Sequence, residues 1–155
     1  ISIDVPMAND PVRDLEGLRA VRVRAMELEA AADRLGRRAD APCAIEEALS
    51  DPDERQEALE RVYRQLTGAR PDIPDAPEGA DETAHNVEWL ERESRAHVAV
   101  TDADLAELGR ARAAAVQDAL LASGDIDPAR VFVIAQREAP TETEGAVRMR
   151  LAVTQ

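Results

Sequence analysis

The stretch from Thr101 to Ala135 constrains the fold more than any other part of the chain. Thr101 suits an N-cap, and Asp104 three residues on completes a box-like helix start and favours the positive helix end. Leu105, Leu108, Val116, Ala119 and Leu120 recur at helical spacing and predict one apolar stripe on a helix over 101–123. Gly124 can take a positive φ and end that helix. The unbroken apolar run Val131–Ala135 then reads as a strand covered on both faces.

Arg112 breaks the stripe, four residues after Leu108 and four before Val116. A guanidinium in that position keeps its proton and needs a carboxylate, carbonyls or a ligand anion. Two readings stand. Arg112 snorkels past small alanines or makes a structural ion pair, or it binds an anion in a pocket.

A chain of 155 residues suits one domain. Trp89, Tyr63 and Phe132 are its only aromatic residues, so the core must rest on Leu, Val, Ile and Ala. The net charge of −13 argues against a nucleic-acid partner or an anionic membrane surface. Every basic residue is arginine, which excludes a lysine Schiff base or a P-loop lysine. With Cys43 as the lone cysteine there is no internal disulfide and no thiolate metal cluster. No apolar run approaches the length of a membrane span, so direct membrane insertion by this chain is not expected. Ile1 begins directly in a strand pattern, which is read as a fragment of a longer protein whose targeting information lies upstream.

Ile1–Val5 alternates apolar and polar like a half-buried strand. Asp10-Pro11 is a strong helix start, and Leu15, Leu18, Val21 or Arg22, Ala25, Leu28 and Ala32 predict a helical stripe reaching Gly36. A short helix is expected around Ile45–Leu49. Asp51-Pro52 repeats the start signal for a helix carrying Ala58, Leu59, Val62, Tyr63 and Leu66 and closing at Gly68. Residues 69–82, with Pro71, Pro74 and Pro77 among acidic side chains, read as a solvated, poorly ordered loop. A further helix holds Trp89 and ends near Val98, with Leu66, Trp89 and Leu90 expected to be buried. At the C-terminal end, Val147, Met149, Leu151 and Val153 alternate with arginines as a strand, and residues 136–145 read as a polar hairpin loop joining the last two strands. The order is strand, helices, strand, strand: an α+β fold with helices packed on one face of a small mixed sheet.

Candidates for chemistry are sparse. His85 and Glu88 have i,i+3 spacing, yet two ligands do not make a metal site, and His97 lies at another helical angle. Nothing orients Cys43 as a nucleophile, so it reads as a small buried apolar residue. Phosphate-binding glycine loops and hydrolase or zinc-protease motifs are missing from the sequence. Pairs such as Glu46-Glu47 and Asp51/Asp53 read as helix-start charges. No catalytic residue, metal or cofactor is expected.

The run Leu108-Gly109, Arg112-Ala113, Val116, Ile126-Asp127-Pro128 resembles the helix–turn–strand of OmpA-like peptidoglycan-binding domains. A broader likeness, covering most of the chain, is to the C-terminal region of AsmA-like envelope proteins that carry the domain of unknown function 748, through Thr101-Asp-Ala-Asp-Leu105 and Ile126-Asp-Pro-Ala-Arg-Val-Phe132. The OmpA-like likeness implies a core of residues 1–11 and 101–155 with a helical insertion over 12–100, all within one domain. It also implies a ligand-binding pair for peptidoglycan. Setting Val5 on the family's strand Val places Asp10 at the family's anchoring Asp, and Arg112 falls at its Arg. An acid facing an amine and an arginine facing a carboxylate would suit a zwitterionic amino-acid group. The chain departs from that family at the Gly-His-Thr positions, here Met7, Ala8 and Asn9, and at the Asn position, here Leu105. The AsmA-like likeness implies a non-enzymatic, Gram-negative periplasmic module of an inner-membrane-anchored protein concerned with envelope integrity or lipid transport between membranes. Its implied partners are the rest of its own protein or another envelope protein. The alternative is a peptidoglycan-binding anchor. Under either reading Asp10 and Arg112 are expected to lie close together.

Overall fold

The computed structural model describes residues 1–36, 42–135 and 149–154. The chain divides into two compact units, one formed by residues 1–15 with 100–155 and the other by 16–99.

The first unit holds a three-stranded mixed sheet. Strand β1 (Ser2–Met7) lies in the middle. Strand β2 (Val131–Ala135) pairs with it in parallel, with Val5 opposite Val133, and β3 (Ala152–Thr154) pairs antiparallel on its other side, with Ile3 opposite Val153. The first strand and the two last ones therefore share one sheet, which is mixed as expected, and the helical crossover from β1 to β2 gives their pairing its parallel sense. Two details differ. The final strand occupies Ala152–Thr154 and leaves Met149–Leu151 out of the ladder, while Val147 lies outside the described residues. The two last strands also flank β1 on opposite sides, so they do not form a hairpin; the segment expected to join them lies outside the described residues.

Thr101 caps the long helix of this unit as expected. Its side chain and that of Asp104 exchange hydrogen bonds with each other's backbone N–H groups, and the helix runs Asp102–Leu121. Gly124 follows with φ of 75°. This helix (α5 in chain order) packs on β1 and β2, around a core of Val5, Ala113 and Val131. Its fully buried positions are Gly109 and Ala113, whereas Leu105, Leu108, Val116 and Leu120 are half-buried and Ala119 is exposed. The contact line is thus built from small residues. An added Cβ on Gly109 would sit 3.7 Å from the backbone of Ala8, so helix and chain meet at close range there. Among the described residues strand β2 is not covered on both faces: Val131 is buried, but Phe132, Val133 and Ile134 are 49, 40 and 39% exposed. Among the described residues β2 pairs only with β1, and α5 covers one face alone.

The second unit is helical. Helix α1 (Arg13–Leu35) enters it after its first turn and is followed by α2 (Pro42–Ala48), α3 (Pro52–Thr67) and α4 (Glu82–His97). Their limits follow local capping. Asp51 accepts N–H bonds from Asp53 and Glu54 ahead of α3, Gly68 closes that helix with φ of 74°, and Asp81 accepts from Ala84 ahead of α4. Val23, Leu59, Val62 and Leu90 are fully buried, and Ala30, Ala31, Leu49 and Ala58 complete one cluster with Val62. Leu66 and Trp89 are half-buried, not buried; Tyr63 packs against Trp89 with centroids 5.6 Å apart and the ring planes tilted by 41°. On α1 the buried line is Val23, Glu27, Ala30 and Ala31, while Val21 and Ala25 of the expected stripe are exposed. Most of residues 69–82 is irregular and exposed, with Pro71, Ile73 and Ala76 half-buried and His85 Nε2 3.1 Å from the Pro74 carbonyl oxygen.

Candidate functional site

The point where the chain leaves β1 for α1 is where the sequence placed its binding pair. Asp10 ends up as a helix cap. Its Oδ1 accepts hydrogen bonds from the backbone N–H groups of Val12 (2.9 Å) and Arg13 (3.0 Å), and its carbonyl accepts from Asp14 N–H. The direct partner of Arg112 is Asp14, one turn further on. The guanidinium donates from Nη1 to Asp14 Oδ2 at 2.5 Å and from Nη2 to Oδ1 at 2.7 Å, with a longer bond of 3.4 Å to the Ala8 carbonyl. Asp14 Oδ2 also accepts the backbone N–H of Asp10 at 2.7 Å. Next to it, Asn9 Nδ2 donates to the Leu105 carbonyl at 3.0 Å.

Asp10 and Arg112 are thus near enough for the charge of Asp10 to act on the guanidinium, as expected, but the acid that bonds it directly is Asp14. Asp10 turns its side chain to orphan N–H groups at the start of α1, where a carboxylate also meets the positive helix end. Asp14 has the right height on the first turn to meet α5. Its side chain is 7% exposed and that of Arg112 30%. The hydrogen bond from Arg112 holds the Asp14 carboxyl below the usual carboxylate range, against burial, and the backbone N–H of Asp10 adds to it. The same bond raises the Arg112 pKa further, and the charges of Asp14 and Asp10 act in the same direction.

This arrangement explains how a guanidinium tolerates the apolar stripe. A two-pronged Arg–carboxylate pair satisfies both groups with good geometry. Asp14 was missed because an acidic residue in a first helical turn is ordinary. The only signal was its spacing, four residues after a capping Asp.

A second charged cluster, also missed, lies within the helical unit. Glu27 is 1% exposed and accepts hydrogen bonds from Arg24 (2.9 Å) and Arg55 Nε (2.8 Å). Arg55 continues to Glu91 at 3.1 Å, so one chain of charges ties α1, α3 and α4. An acidic residue between apolar neighbours on α1 was the available clue.

The remaining candidates stay apart. His85 bonds toward the Pro74 carbonyl, and His97 Nδ1 donates to the Glu93 carbonyl at 2.8 Å with its ring against Tyr63. Among the described residues no group of three or more His, Cys, Asp and Glu is placed to hold a metal ion. Cys43 is exposed, contrary to the expected burial. Asp51 caps α3, and Glu46 pairs with Arg24. A cavity of about 360 Å³ in the helical unit mixes Ala30, Ala31 and Leu49 with Arg34, Arg61 and Arg64. No helix among the described residues is long and apolar enough to cross a membrane. Compared with protein-family models, curated proteins and solved structures, the chain matches none.

Proposed function

We propose that this chain is a non-enzymatic module of an AsmA-like envelope protein, working in the periplasm of a Gram-negative bacterium. Its protein is anchored in the inner membrane elsewhere and serves envelope integrity or lipid transport between membranes. Residues 1–11 and 101–155 form an OmpA-like core and 12–100 an insertion into it. The sequence likeness around Thr101–Leu105 and Ile126–Phe132 supports the family. The parallel β1–β2 pair with α5 between its strands in sequence supports the core.

One observation carries the choice between binding and building. Both prongs of Arg112 are taken by Asp14, which is itself buried, so the guanidinium is committed to holding α5 to the first turn of α1 within the same unit. Fractionating cells that express the full-length native protein tests the assignment. It should follow inner-membrane markers, with this segment cut by protease only once the outer membrane is permeabilised. Recovery in the cytosol, or protection after permeabilisation, would overturn it.

A peptidoglycan-binding anchor is the second reading. It is favoured by the partial exposure of Arg112 and by the charge of Asp10 acting on it.

A further inference from the structure

We draw no further inference here: the strongest candidate, the apolar surface patch on the small sheet where Ile1, Leu151 and Val153 are exposed on one side and Phe132 and Ile134 on strand β2, carries nothing because nothing in the structure shows what covers it.

Discussion

Arg112 and Asp14, 98 positions apart in sequence, are joined by two hydrogen bonds of 2.5 and 2.7 Å that fasten the middle of α5 to the first turn of α1. The bond matters because neither group has an equivalent alternative. The Ala8 carbonyl, at 3.4 Å, is a weak third partner for the arginine.

Asp14→Ala should therefore destabilise the protein more than Asp10→Ala. Losing a buried partner costs about 3–5 kcal/mol when the remaining charge stays buried. Arg112 is 30% exposed, which lowers the expectation to roughly 2–3 kcal/mol. Asp10→Ala removes a cap, for about 1 kcal/mol. Urea unfolding of both variants checks the order; equal losses would contradict it.

The pair also predicts a pH dependence. The folded-state pKa of Asp14 lies below its ordinary value of 3.8, so the unfolded chain binds this proton more readily. Its contribution is present above pH 3.8 and is lost as pH falls through the lower folded value. Thermal melts between pH 6 and pH 2 should show a steeper acid loss for the wild type than for Asp14→Asn. Arg112 shifts upward, so its contribution is lost only at strongly alkaline pH.

Glu27 should be the most sensitive charged position of the helical unit. Glu27→Ala leaves Arg24 and Arg55 without their shared acceptor and opens space beside the core, for a loss of about 2–4 kcal/mol. Glu47→Ala, at an exposed position, should change stability by less than about 0.5 kcal/mol. Circular-dichroism melts of the two compare them directly.

Gly109 tests how closely α5 approaches the end of β1. An alanine Cβ would make ordinary contacts of 3.7 Å and gains helix propensity, so Gly109→Ala should be neutral or stabilising by up to about 1 kcal/mol. Gly109→Leu has to push Ala8 aside and should destabilise by roughly 1–3 kcal/mol. If both variants melt alike, the close approach is wrong.

Local signals were legible in the sequence and non-local ones were not. Asp10-Pro11, Asp51-Pro52, Thr101 with Asp104, and Gly68 all act where they were expected to, because capping depends on a few adjacent residues. Coverage depends on what arrives from elsewhere. The run at Val131–Ala135 has the same composition whether one face or two are packed, and here much of it stays exposed. Apolar periodicity misplaced the buried line of α1 because Glu27 belongs to it as an ion-paired core residue. Arg112 was legible as an arginine that needs an anion. Which acid supplied it depended on the first turn of α1, where Asp10 and Asp14 differ only in direction.

The most direct test is co-sedimentation of the protein with intact peptidoglycan sacculi, run for wild type and Arg112→Ala beside their thermal melts. The account predicts that wild type stays in the supernatant and that Arg112→Ala melts several degrees lower. Wild type pelleting with the sacculi, and Arg112→Ala staying soluble at an unchanged melting temperature, would contradict it and establish the peptidoglycan-binding reading.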